Sequence, residues 1–261
     1  MDKREIDGKI AVITGAAGGM GQFIAEQLAA QGAVIAAIDR DKERLAICIE
    51  ELKGKGYRAS AYPADISDAA AVENVITAVE SELGPIDILI NGAGVLRPGP
   101  IDKYDKTDWD VSFAGNVSGV FHVSQSVSRH MIERKRGSIV TISSNAGHMP
   151  RMGMAAYGAS KAAATMFTKC LGLELAQHNI RCNVISPGST DTKMLRQLWE
   201  DEQDAEGTIN GQPEAYRVGI PLKKIGTPKD ISEAVLFFVS DQSSHITMYD
   251  MVIDGGATLG V

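Results

Sequence analysis

Tyr157 and Lys161 stand four residues apart in the run Tyr157-Gly158-Ala159-Ser160-Lys161. On a helix that spacing sets a phenol beside an ammonium on one face. A free phenol titrates near 10 and is a poor base at neutral pH, but a neighbouring ammonium favours the phenolate and lowers that value. The pair could therefore take a proton from an alcohol, with Tyr157 as the acceptor. The same spacing also describes an ordinary solvated helix face, so other residues must decide. Ser144, thirteen residues before Tyr157, follows the apolar run Ser138 to Ile142. It puts a hydroxyl at the carboxyl end of a strand, where α/β sites are built.

A second constellation is Thr14-Gly15-Ala16-Ala17-Gly18-Gly19-Met20-Gly21, between an apolar run and a helical pattern. Glycines there let the main chain approach an anion with no Cβ in the way, and amides at a helix start favour a phosphate. The spacing is not G-x-G-x-x-G, and a glycine-rich stretch is also an ordinary turn. Its place directly after the opening strand favours a nucleotide. The next apolar run ends at Asp39, eighteen residues past Gly21, where dinucleotide folds put an acid on the ribose hydroxyls. Its carboxylate can accept two hydrogen bonds from an adenosine diol and would repel a 2′-phosphate, which favours NAD over NADP. Arg40 works against that preference, because a guanidinium can fold over a phosphate. The competing role for Asp39 is a turn or N-cap acid ahead of the next helix.

These groups need a scaffold, and the hydropathy pattern supplies one. Apolar runs at Ile10 to Thr14, Ala33 to Ile38, Arg58 to Tyr62, Ile86 to Asn91, Ser138 to Ile142, Cys182 to Ser186 and Met248 to Ile253 read as strands. Helical patterns run from Gln22 to Gln31, Asp41 to Lys53, Ala69 to Leu83, Trp109 to Glu133, Ala155 to Gln177 and Lys229 to Val239. Several strands are apolar at consecutive positions, as expected when helices cover both faces. The expectation is an α/β fold with a doubly wound parallel sheet of about seven strands. Asp68 reads as an N-cap, Gly32 and Gly84 as helix stops, and Pro228 as the residue before the last helix. Residues 1–261 read as one domain. The polar segment from Pro187 to Thr227 reads as irregular, and as a mobile lid over the substrate.

Composition excludes other classes. With 26 Lys and Arg against 33 Asp and Glu, the chain carries a net charge of −7 and repels phosphate backbones and anionic lipid, so no nucleic-acid partner is expected. No apolar run reaches the ~18 residues that span a bilayer, and Met1-Asp2-Lys3-Arg4-Glu5 lacks a secretory signal's hydrophobic stretch. A cytoplasmic protein with no membrane partner is expected. Cys48, Cys170 and Cys182 fit neither a disulfide framework nor a metal site and read as buried thiols.

Thr14-Gly15-x-x-x-Gly19-x-Gly21, Asp65, Asn91-Gly92-Ala93-Gly94, Asn116, Ser144, Tyr157-x-x-x-Lys161 and Pro187-Gly188 together resemble the short-chain dehydrogenase/reductase family over the whole chain. Within it, Gly94-Val95-Leu96-Arg97-Pro98-Gly99, Met154-Ala155-Ala156-Tyr157, Lys169 to Glu174, Ser186 to Thr192 and the tail Asp254 to Val261 are similar to members of catechol siderophore biosynthesis. Those members oxidise a carboxylated cyclohexadiene diol to a catechol. The resemblance implies a single Rossmann-type domain, an NAD cofactor and a homotetramer. It implies that Ser144 holds the substrate hydroxyl, Tyr157 takes its proton, Lys161 binds the nicotinamide ribose and tunes Tyr157, and Asn116 anchors a proton-relay water. Gly15, Gly18, Gly19, Met20 and Gly21 would cradle the dinucleotide. Asp65 and Ile66 would meet the adenine, Asn91 and Ala93 would line the adenosine side, and Ile185, Pro187, Gly188 and Thr192 would hold the nicotinamide end. Gly92 stands where the family has a second Asn, and Met20 where it has an Ile.

The remaining candidates weigh against each other. His122, His130, His148, His178 and His245 show no metal spacing, and His148 reads as a bystander near Ser144. Arg134-Lys135-Arg136 reads as a solvated helix end. Met149, Met152 and Met154 read as pocket lining or as filler. A carboxylated substrate needs local cations in a net-negative protein, and Arg97 and Arg151 follow strand ends near the site. Each could also be a plain surface charge. Two further functions stay open: a carbonyl reductase of the 3-oxoacyl-carrier-protein type, against whose usual NADPH Asp39 speaks, and a non-catalytic dinucleotide sensor.

Overall fold

The computed structural model describes residues 5–199 and 202–260. The chain alternates β1 (Ile10–Thr14), α1 (Gly19–Ala30), β2 (Val34–Asp39), α2 (Lys42–Gly54), β3 (Ala59–Pro63), α3 (Ala69–Glu82) and β4 (Ile86–Asn91), then α4 (Lys106–Phe113), α5 (Gly119–Arg134), β5 (Gly137–Ile142), α6 (Ala155–Leu175) and β6 (Ile180–Pro187). Two short helices, α7 (Lys193–Arg196) and α8 (Glu202–Asn210), precede α9 (Pro228–Val239) and β7 (Asp250–Ile253). The seven strands form one sheet in the order β3-β2-β1-β4-β5-β6-β7, every neighbouring pair parallel. The order reverses between β1 and β4, the switch point beyond which α/β sheets leave a crevice.

Alternate residues of each strand feed opposite faces. Ala11, Ile13, Ile35 and Ile90 pack with Ile24, Leu28, Val235 and Phe238 from α1 and α9. Val12, Ile38, Leu89 and Ile139 pack with Ile76, Val127, Met131 and Leu175 from α3, α5 and α6. Two apolar layers therefore sandwich the sheet, which explains its unbroken apolar runs.

Asp68 caps α3 by accepting from the amides of Ala70 and Ala71 at 2.9 and 3.1 Å, and Gly32 and Gly84 leave their helices at φ +95° and +107°. Four expectations change. Pro228 is the first residue of α9, not the one before it; Thr227 and Asp230 close a reciprocal capping box around it. The helix expected from Trp109 to Glu133 starts at Lys106 and is interrupted by a π turn at Ala114–Ser118. Cys170 is exposed, unlike Cys48 and Cys182. The basic run is more than the solvated helix end expected: Lys135 and Arg136 are exposed at the end of α5, but Arg134 grips Glu80 with two bonds of 2.9 Å and also donates to the Ile86 carbonyl, while Arg136 bonds Asp87 at 2.7 Å. Both cations stitch α5 to α3 and β4.

The segment 187–227 is likewise not irregular throughout. It carries α7, capped by Thr192, then α8, and then a tight turn closed by an antiparallel bridge between Gln212 and Arg217.

Candidate active site

A cavity of about 690 Å³ opens over the carboxyl ends of the strands. At one end lies the glycine turn. Gly15 takes φ +70°, and a Cβ there would sit 2.6 Å from the Ala93 Cα; one on Gly21 would meet the Gly15 carbonyl oxygen at 2.2 Å. Both glycines are thus demanded by backbone packing. Gly18 and Gly19 face more open ground, where a Cβ on Gly19 would meet only Thr192 at 3.7 Å. The first turn of α1 has no side-chain cap, and its residues Gly19, Met20 and Gly21 line the cavity with Gly18. This bare, positively polarised lip suits a pyrophosphate.

Asp39 stands at the end of β2, half-buried on the same cavity. Its Oδ2 accepts from the Ala17 amide and its Oδ1 from the Asp41 amide, both at 3.0 Å. Each carboxylate oxygen retains a lone pair for a diol. Asp65 accepts from the amide and hydroxyl of Ser67 at 2.9 and 2.7 Å, which hold its carboxyl below the usual range. Ile66 and Ala93 complete this wall.

At the other end, Ser144 ends β5's extension and caps the turn Asn145–Gly147, its Oγ accepting from the Ala146 amide at 3.1 Å. The start of α6 brings Tyr157 to the same cavity, near enough for the Ser144 hydroxyl to favour its phenolate. Lys161, one turn on, is buried; its Nζ donates to the Ile142 carbonyl at 2.9 Å and lies 5.8 Å from the Tyr157 ring centre. Burial pushes this ammonium down to about 8. Burial also raises the Tyr157 phenol, against a smaller lowering by Ser144. Among the protein's own groups desolvation wins, so the expected lowering of the phenol would need the positive ring of an oxidised nicotinamide beside the ammonium.

Pro187, Gly188 and Thr192 line the cavity as expected, but three residues do not. Asn91 is 2% exposed and turns its amide inward, donating to Ser124 at 2.9 Å and Thr141 at 3.3 Å. Ile185 lies two residues short of the strand end, so its side chain enters the core and its carbonyl accepts from the Ser143 amide at 2.7 Å. Ser189 and Thr190, past that end, take its place on the cavity. Asn116 sits in the π turn with its side chain fully engaged: Oδ1 accepts from the Val95 amide at 2.7 Å, and Nδ2 donates to the Val95 carbonyl and to Ser160, each at 2.9 Å. Its side chain splints the loop after β4.

Met152 and Met154 line the cavity and Met149 does not. His148 is not on the cavity lining; its Nε2 lies 3.0 Å from Asp250 Oδ2 and 3.2 Å from Ser186 Oγ, contacts that serve the fold. Arg97 and Arg151 both reach the cavity, but Arg97 is exposed and 3.6 Å from Asp108. The structure adds Trp199, Gln212 and Arg217 from the 187–227 segment. No periodicity or strand end marks Arg217; its approach depends on the Gln212–Arg217 bridge, which pairs residues across a turn.

A model of the short chain dehydrogenase family matches residues 9–203. The chain belongs to the short-chain dehydrogenase family. It is 55% identical over 261 residues, the full length of both chains, to 2,3-dihydro-2,3-dihydroxybenzoate dehydrogenase of Bacillus subtilis. It is 42% identical to the protein of the same name from Escherichia coli, covering 98% of this chain and 99% of the relative. Among solved structures, a gluconate 5-dehydrogenase from Burkholderia cenocepacia, in complex with NADP and tartrate, superposes with a TM-score of 0.91 at 32% identity, covering 99% of this chain and 98% of that one.

Within this short-chain dehydrogenase, one cavity joins the open glycine lip and Asp39 to the Ser144–Tyr157–Lys161 cluster. The first can hold a dinucleotide; the second can bind a hydroxyl and move its proton. Among the described residues no His, Cys, Asp or Glu cluster could hold a metal ion.

Proposed function

We propose that this chain oxidises 2,3-dihydro-2,3-dihydroxybenzoate to 2,3-dihydroxybenzoate with NAD, in the making of a catechol siderophore. The observation that carries the reading is that Ser144, Tyr157 and buried Lys161 share one cavity with the glycine lip and Asp39. Bound on that lip with its diol on Asp39, NAD supplies the acceptor for the hydride. Ser144 holds the substrate hydroxyl and Tyr157 accepts its proton. Lys161 would bind the nicotinamide ribose and add a positive charge near the phenol. Asn116 keeps the loop at Val95 in place beneath them. Arg151, half-buried near Tyr157, orients the substrate through its carboxylate. Loss of hydride and proton leaves a dienone, and its tautomerisation to an aromatic ring drives the reaction forward.

We further propose a homotetramer working in the cytoplasm. Phe121 on α5, and Met166 and Leu173 on α6, are exposed apolar side chains on neighbouring helices and suit a subunit contact. No helix among the described residues is long and apolar enough to cross a membrane. The decisive experiment mixes purified protein, NAD and the dihydrodiol and follows catechol fluorescence. Fluorescence with NAD and little with NADP is expected. Turnover only of a 3-oxoacyl thioester with NADPH, or cofactor binding with no turnover of either substrate, would replace the reading.

A further inference from the structure

Arg217 has no role in the chemistry described so far, yet the fold takes trouble to deliver it. It follows the turn Pro213–Ala215, and its backbone is bridged to Gln212. Glycines pack tightly on either side: a Cβ on Gly211 would sit 2.7 Å from the Arg217 carbonyl oxygen, and one on Gly219 would sit 2.5 Å from that of Ile209. The guanidinium therefore rides on a tightly packed turn. It is half-buried and lines the same cavity as Tyr157 and Arg151. Among the described residues its side chain makes one hydrogen bond, long and neutral, Nη1 donating to Gln212 Oε1 at 3.4 Å.

Arg151 reaches the same cavity from the loop between Ser144 and α6. Asp254 is near enough to favour its charge, but the Asp254 oxygens already accept from Asn145 at 3.2 Å and from the Gly256 amide at 2.9 Å. Among the described residues, ion pairs within 4.0 Å include Arg97 with Asp108 but none for Arg151 or Arg217. Burial holds both guanidiniums below their ordinary value, and Arg217 is lowered further by the positive charge of Arg151. Two like charges thus feel each other in a partly desolvated cavity, whose lining also includes Asp204. An anion seated there would relieve both the repulsion and the lost hydration.

Resting on the dihydrodiol reading, we propose that Arg217 and Arg151 clamp the substrate carboxylate from opposite sides, with Arg217 the specificity residue contributed by the 187–227 segment. A carboxylate has two oxygens and about four acceptor sites, enough for one guanidinium on each flank. The clamp would hold the ring with its hydroxyl toward Ser144 and Tyr157. It would also reject neutral cyclic alcohols, which leave two buried cations unanswered.

The test compares ligands that differ by the carboxylate alone. The NAD-loaded protein is titrated with 2,3-dihydroxybenzoate and with catechol, read by calorimetry and by the fluorescence of Trp199 in the cavity wall. Arg217→Gln should weaken 2,3-dihydroxybenzoate by about tenfold to a hundredfold and leave catechol unchanged. Arg217→Lys, which keeps the charge but not the fork, should fall between. The exposed control Lys53→Gln, on α2 and off the cavity lining, should change neither. In turnover, Arg217→Gln should raise KM for the dihydrodiol more than it lowers kcat. If wild type oxidises the dihydrodiol but both Arg217 variants lose affinity for the two ligands equally, or for neither, the clamp is wrong and the reading of the reaction stands. If wild type neither oxidises the dihydrodiol nor prefers 2,3-dihydroxybenzoate to catechol, the reading of the reaction falls and takes the clamp with it.

Discussion

Asp39→Ala should act on the cofactor and on the fold together, because one carboxylate serves both. Its two oxygens accept from the amides of Ala17 and Asp41, the first inside the glycine turn and the second at the start of α2. A hydrogen bond to a charged group is worth about 1.5–3 kcal/mol when buried. Asp39 is half-buried, so water would answer part of the loss, and a stability cost of about 1–2 kcal/mol is expected. For a chain of this size that lowers Tm by roughly 2–8 °C. The diol contact is a separate loss of about 1.5–3 kcal/mol, so KM for NAD should rise about tenfold to a hundredfold. Discrimination against NADP should relax too, since the repelling charge is gone. Asp39→Asn separates the two effects: its one carbonyl oxygen can still serve an amide and recover part of the Tm, without restoring discrimination. Circular-dichroism melting of the ligand-free protein and steady-state kinetics with both cofactors provide the readings. Unchanged NAD kinetics beside a lowered Tm would refute the diol contact and leave Asp39 as a turn acid.

Tyr157→Phe should abolish turnover while NAD binding by calorimetry stays near wild type, because only the proton acceptor is lost; comparable turnover would remove Tyr157 from the chemistry. The buried Lys161 ammonium titrates near 8, against an ordinary 10.5, so between those values the unfolded chain binds more protons and this group's contribution to stability rises with pH. Lys161→Met should therefore gain most in Tm over ligand-free wild type near pH 7, with the gain shrinking toward pH 10; a pH-independent difference would contradict a charged, desolvated Lys161. If 187–227 is a lid, NAD and 2,3-dihydroxybenzoate together should slow proteolysis within it, and equal cleavage with and without ligands would argue for a fixed wall.

Much of this site was legible because its parts sit where the fold leaves no choice. β1 and β4 were readable to the residue, since burial on both faces demands unbroken apolar runs, and the glycine turn, Asp39 and Ser144 follow strand ends. Tyr157 and Lys161 needed only the helical period. Other features depend on partners remote in sequence. Nothing local announces the π turn, which exists where Asn116 pairs with the backbone of Val95. The family resemblance gives Asn91, the last residue of β4, to the adenosine side, but Ser124 and Thr141 draw its amide inward. Ile185 was misjudged by two residues at the end of β6, enough to send its side chain into the core. Arg217 reaches the cavity through a turn whose geometry no propensity reveals.

The Thr14 hydroxyl accepts from the amides of Gly92 and Ala93 at 3.1 and 3.2 Å, across the seam where β1 meets β4. The known partners of Asp39 lie before that seam in sequence and those of Tyr157 and Lys161 after it. A chimera that exchanged the first three strands for those of an NADP-using relative could therefore change the coenzyme without disturbing the proton acceptor. It would do so only if the donor brings a hydroxyl at position 14 and no Cβ at position 15, where Ala93 leaves no room. Two adjacent residues thus set the terms on which cofactor choice and chemistry can be inherited from different parents.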